Sequence, residues 1–184
     1  MSMQFFTPDL WLRFQKMNDE PAFNAAHLDW QRALQDYRAE LAEWLPKMPK
    51  RLRQFAELGG FHDGTVLAIW RGRGKLNVLV ETERPAEQLF LLVYSLVANP
   101  EVNQSALPAE YRTERAGWMY DEIRVEGGEK GNPATARFLH SILLSNGWEI
   151  TLRFSRFDFS RVESILSLPK GGRELQLSSI SQSA

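Results

Sequence analysis

The chain of 184 residues has no cysteine. That excludes disulfides, thiolate metal sites and cysteine nucleophiles, and it is compatible with a reducing cytoplasm. Charge of one sign is also lacking. The formal net charge is -1, so no global field draws in nucleic acid or an anionic membrane. No apolar run approaches the roughly 20 residues that a membrane-spanning helix needs. The first residues have no basic region followed by an apolar run, so no signal peptide is expected. There is no nucleophile elbow, no dinucleotide fingerprint and no Walker spacing around Gly72-Arg73-Gly74-Lys75. No repeat of fixed period and no domain-splitting linker is visible.

Aromatic residues are plentiful by contrast, with six Trp and eleven Phe. Thr7-Pro8 reads as a helix cap followed by proline in the first turn. It opens a short helix with Leu10, Phe14 and Met17 on one face. Asn18 or Asp19 caps the next helix, expected over 21–47. Its stripe of Phe23, His27, Trp30, Leu34, Tyr37, Leu41 and Trp44 repeats at three- and four-residue spacing. A third helix, about 50–58, turns Leu52 and Phe55 inward and ends at Gly59-Gly60.

After Gly60 the apolar period changes from helical to two. Strands are expected at 65–70 and 75–82 around the Gly72 turn, with Leu67 and Ile69 on the core side. Further strands are expected at 88–97 and 118–125. Residues 99–117 read as a long loop with a helical turn, and 126–133 as a mobile, glycine-rich hairpin loop. The strongest signal is Asn146-Gly147 between two alternating apolar runs over 138–159. A two-residue turn would pair Leu143 with Ile150, Leu139 with Phe154 and His140 with Arg153. It would also put Leu139, Ser141, Leu143 and Ser145 on the core face. Val162 to Leu168 reads as a short helix or strand, and 169–184 as a frayed tail. The expected fold is one α+β domain, 1–184. Helices over 1–60 pack on a predominantly antiparallel sheet of about six strands over 61–160.

Candidate chemistry rests on few residues. His27 sits on the apolar stripe, where a packed histidine with one satisfied nitrogen is the simpler reading. His62-Asp63-Gly64 stands at a helix-to-strand entry. It offers a metal-ligand or acid–base pair, or a plain turn in which Asp63 bonds local backbone and Gly64 takes an unusual dihedral. In the two-residue register His140 faces Arg153, a cation that would keep the imidazole neutral and its nitrogens free. Asp121-Glu122 is an acidic pair on a strand. One of the two must face the core, paired with Arg124 or Arg153. If the adjoining strands meet, Asp121 or Glu122 reaches His140. His62, Asp63, Glu122 and His140 are therefore the candidates for a divalent-metal site, although no spacing demands one. Lys47, Lys50, Arg51 and Arg53 form a basic cluster whose simplest reading is a solvated helix face, and nucleic-acid binding is disfavoured.

Four segments, FFTPDLWLRFQ, FHDGTVLAI, WMYDEIRV and FLHSILLSNGWEITLRF, occur in that order between Phe5 and about Phe159. Together they resemble an uncharacterised bacterial family, a domain of unknown function with a helical first half and strands after it. The resemblance implies a bacterial, cytoplasmic protein, and supplies no activity and no catalytic residues. The layout is also similar, in architecture alone, to small antitoxin or immunity proteins. The expectation is a non-enzymatic domain, immunity- or adaptor-like, that binds a protein partner and needs no cofactor. A surface aromatic patch drawn from Trp11, Trp70, Trp118 and Tyr120 would support it. The rival is a small metal-dependent enzyme or ligand-binding domain using the four residues above.

Overall fold

The computed structural model describes residues 3–59, 61–82, 88–127 and 136–162. The fold is α+β, as expected. Helix α1 (Pro8–Phe14) starts where the Thr7 side chain accepts the Leu10 amide, and α2 (Glu20–Trp44) where Asp19 accepts that of Ala22. A 3-10 turn over 45–47 leads to α3 (Lys50–Glu57). Strands follow: β1 (Thr65–Gly72), β2 (Lys75–Thr82), β3 (Gln88–Leu96), β4 (Glu101–Asn103), β5 (Trp118–Glu126), β6 (Arg137–Leu144) and β7 (Glu149–Val162). β4 was expected as loop. It pairs with Thr151 to Glu149 of β7, where β3 no longer reaches, so the sheet has seven strands.

Sheet order is β1-β2-β3-β7-β6-β5, with every pairing antiparallel. The sheet curls until its two edges touch. Thr65 bridges Gly117, the Val66 amide donates to the Ala116 carbonyl, and the Trp118 amide donates to Gly64. The curl encloses Val66, Val78, Val80, Leu92, Trp118, Ile142, Leu152 and Phe154. From α3, Leu52 and Phe55 enter the same core, with Phe55 ringed by Phe61, Phe157 and Phe159. Beyond the bridge the edge of β5 that faces away from β6 has no strand neighbour among the described residues. There Tyr37 of α2 accepts the Ile123 amide at 3.0 Å. A helix thus covers what would otherwise be an open edge.

Three local irregularities change the expected facing of side chains. First, the 138–159 hairpin turns on three residues, Ser145, Asn146 and Gly147. The Leu144 amide donates to Trp148, and Gly147 takes φ +86. That is the turn-plus-bulge alternative to a two-residue loop. The register therefore slips by one: His140 faces Leu152, not Arg153, and Leu143 faces Glu149. Because side chains alternate, the slip exchanges the faces. The main core receives Phe138, Ile142 and Leu144. Leu143 goes to a second cluster with Met3, Phe6 and Leu107, so β6 is covered on both sides as expected. Second, a bulge at Leu67 leaves that residue exposed and buries Val66 instead. Third, a bulge at Met119 puts Trp118 beside Leu144 but Tyr120 beside Leu143, so the two no longer share a face.

The helices also depart in detail. Met17 lies beyond α1 and is exposed, because α1 ends at Phe14. The α2 stripe packs on β5 and α1, yet its aromatics are half-buried and only Ala26 is fully buried. The segment before α1 crosses the outer face of β5–β7. Met3 donates its amide to Glu149 at 2.6 Å, and Gln4 and Phe5 donate theirs to Glu122. The loop expected at 126–133 lies mostly, and the segments 163–168 and 169–184 entirely, outside the described residues; Val162 itself closes β7.

Candidate functional site in the groove between α2, α3 and β5

Where β5 leaves the bridge, α2 and the end of α3 do not fully close the gap. A groove of about 390 Å³ remains. Such a volume falls in the range of about 300–1,000 Å³ typical of ligand pockets. Trp30, Tyr37 and Tyr120 form aromatic walls, and Leu34, Leu41 and Ile123 aliphatic ones. Trp30 and Tyr120 brace each other at 4.5 Å between ring centroids. The polar groups on the lining are Asp121, His62, Arg38 and Glu57.

Asp121 is set there by the Met119 bulge. The extra residue returns Asp121 to the inner face, opposite Ile142 and diagonal to His140. Its Oδ1 accepts the Trp118 indole N–H at 2.9 Å, and its Oδ2 lies 3.0 Å from His140 Nε2. The other ring nitrogen of His140, Nδ1, lies 2.9 Å from the Tyr94 hydroxyl. The chain of bonds closes with one proton on Nε2, given to Asp121, and the Tyr94 O–H given to Nδ1. His140 and Tyr94 are fully buried. Burial, and then the nearby Asp121 carboxylate, push the Tyr94 phenol well above its ordinary range. The same two causes raise Tyr37. Asp121 is thus a negative charge felt across the groove. Its side chain is 12% exposed, and among the described residues no Lys or Arg stands within ion-pair distance of it.

At the mouth of the groove the His62 ring lies 5.2 Å from that of Tyr120. His62 Nδ1 is 3.0 Å from Asp63 Oδ1, with both side chains more than half exposed. The unusual dihedral of this turn belongs to Asp63, at φ +67, and not to Gly64. Gly64 is needed for space. A Cβ there would stand 2.9 Å from the Phe61 carbonyl and 3.0 Å from that of Glu81.

The four metal-ligand candidates are not brought to one point. His62 and Asp63 pair with each other at the rim. His140 is on the inner face with both nitrogens engaged. Glu122 is on the outer face, fully buried, where it holds the amides of Gln4 and Phe5 with Arg124 at 3.4 Å. Among the described residues no three His, Asp or Glu side chains could share a metal ion. Of the acidic pair, Asp121 is the one that meets His140. Arg153 is elsewhere, on Glu126 and Glu101. His27 is exposed, with one ring nitrogen on Gln31 and its ring edge-on to Phe14. Trp118 is buried, while Trp11, Trp70 and Tyr120 are half-buried on separate elements. Tyr37, Tyr94 and Trp118 as partners of this network had no local signal in the sequence. Tyr37 and Tyr94 reach the site by folding over a long separation, whereas Trp118 stands three residues from Asp121 and meets it through the Met119 bulge.

Among the described residues no helix is long and apolar enough to cross a membrane. No protein-family model, no curated protein and no solved structure matches the chain.

Proposed function

We propose that this chain is a non-enzymatic binding domain, immunity- or adaptor-like, that docks a protein partner by taking one of its basic side chains into the α2–α3–β5 groove. The observation that carries the reading is Asp121: a mostly buried carboxylate under aromatic walls with no Lys or Arg paired to it among the described residues. A buried charge without a counter-ion is costly, and aromatic faces attract cations. A lysine or arginine stem would cover the aliphatic walls while its head reached the carboxylate. A bacterial, cytoplasmic setting and membership of a family of uncharacterised domains agree with the cysteine-free composition and the resemblance of its segments.

The test uses short peptides with a single arginine or lysine flanked by apolar residues. Matched peptides carry citrulline or norleucine at that place. The expected result is saturable binding of the charged peptides alone, with the Trp30 indole and Tyr120 ring signals shifting. Asp121→Asn should abolish it while the fold persists, since the imidazole can switch tautomer to suit the amide. Equal binding of charged and neutral peptides, or no binding of either, would overturn the reading.

A further inference from the structure

We propose that the far end of the curled sheet holds a second binding site, unrelated to the groove, that takes a phosphate or diphosphate group. The site is a cleft of about 590 Å³ between the β1–β2 turn and the segment after β3. Arg71, Arg73 and Lys75 line one side of it, and Leu96 to Asn99 the other. Among the described residues no acidic one lines it, in a chain whose net charge is -1. Glu101, two residues beyond Asn99, is engaged by Arg153.

The cations are arranged and not merely crowded. Gly72 pairs with Lys75, so Arg73 and Gly74 are the two central residues of the turn, at φ +51 and +74. Two positive values identify the hairpin turn that selects Asn, Asp or Gly at its first central place. Arginine there is backbone strain, which a functional role would account for. Arg71 is held in place by Asn99, whose Oδ1 accepts from both Nη1 and Nη2 at 3.2 Å. Among the described residues nothing else engages its guanidinium. Lys75 continues into a row with Ser95 and Arg156 on adjacent strands. None of Arg71, Arg73, Lys75 or Arg156 forms an ion pair with a described residue. Two arginines and a lysine around an open cleft match the oxygens of a phosphate better than those of a single carboxylate.

The probe is inorganic pyrophosphate, titrated at constant ionic strength while backbone amide resonances are followed. Saturable shifts confined to Gly72–Lys75 and Val97–Asn99 are expected. Arg71→Gln should weaken binding about tenfold. Arg73→Asn should do the same and yet raise the melting temperature by about 2 °C, because it relieves the turn. A residue that only solubilised the turn would not move both readouts in opposite senses. A parallel sedimentation with phosphatidylcholine vesicles, with and without phosphatidic acid, separates the sources. Sedimentation with phosphatidic acid assigns the phosphate to a lipid headgroup, and its lack assigns it to a free ligand. No saturable shift with pyrophosphate, the same shifts with sodium chloride alone, or full affinity in Arg73→Asn would each overturn the proposal.

Discussion

Replacing Glu122 should unfasten the segment ahead of α1. The carboxylate is fully buried on the outer face of β5. Its Oε1 accepts the Gln4 amide at 2.6 Å and its Oε2 the Phe5 amide at 2.8 Å, with Arg124 Nε 3.4 Å away. In Glu122→Ala two amides lose their acceptor and Arg124 loses its counter-ion. An orphaned donor costs about 1–3 kcal/mol where it stays buried and less at the exposed Gln4, while Arg124 is left as an unpaired, largely buried cation. Relief of the carboxylate's own desolvation offsets part of this. The expected net loss is about 2–5 kcal/mol in urea unfolding followed by tryptophan fluorescence. Hydrogen exchange at Gln4 and Phe5 should accelerate together. Glu122→Gln keeps one acceptor but turns an NH2 toward a donor, and should lose about 1–3 kcal/mol.

The pH dependence has a definite sign. Burial raises the Glu122 carboxyl above its ordinary value, against the lowering effect of the Gln4 and Phe5 amides and Arg124. The folded state therefore binds this proton more readily than the unfolded state does. Its contribution is complete below the unfolded value and is lost as pH rises through the folded one. The stability gap between the native chain and Glu122→Gln should be wider below the ordinary carboxylate range than at neutrality. A loss under about 1 kcal/mol in Glu122→Ala, unchanged exchange at Gln4 and Phe5, or a gap that narrows in acid would refute the argument.

Three further outcomes follow from the same contacts. Tyr94→Phe leaves His140 Nδ1 unpartnered in a fully buried place and should cost about 1–3 kcal/mol. In a double-mutant cycle with Asp121→Asn the two changes should couple by about 0.5–3 kcal/mol through the shared imidazole, and strict additivity would show that they do not. Gly64→Ala drives a Cβ against two backbone carbonyls and should lower stability by about 1–3 kcal/mol, read by thermal unfolding; a neutral result would mean the turn can shift. Tyr37→Phe removes the acceptor for the Ile123 amide on the edge of β5 and should cost about 1 kcal/mol, with faster exchange of that one amide as the specific sign.

The helix starts were legible because Thr7 and Asp19 act on amides only three residues away. The helix stripes and strands were legible because alternating burial leaves its period in the chain. The class of fold follows from those local patterns. Facing did not follow, because each bulge adds one residue and reverses every side chain after it. Met119 on β5 carries Asp121 to the inner face and Glu122 to the outer. The three-residue turn at Asn146 removes Arg153 from His140. The basic cleft could be read only as a plain hairpin turn, since Arg71 and Asn99 are 28 residues apart. Legible in the sequence were the three helices, six of the seven strands, the caps of the first two helices and the two-sided burial of β6. That α2 covers the edge of β5, that Tyr94 and Asp121 meet on His140, and that a groove stays open above them came from the assembled fold. Those outcomes depend on strand register and sheet curl, which are settled by the packing of distant segments and not by any local run of residues.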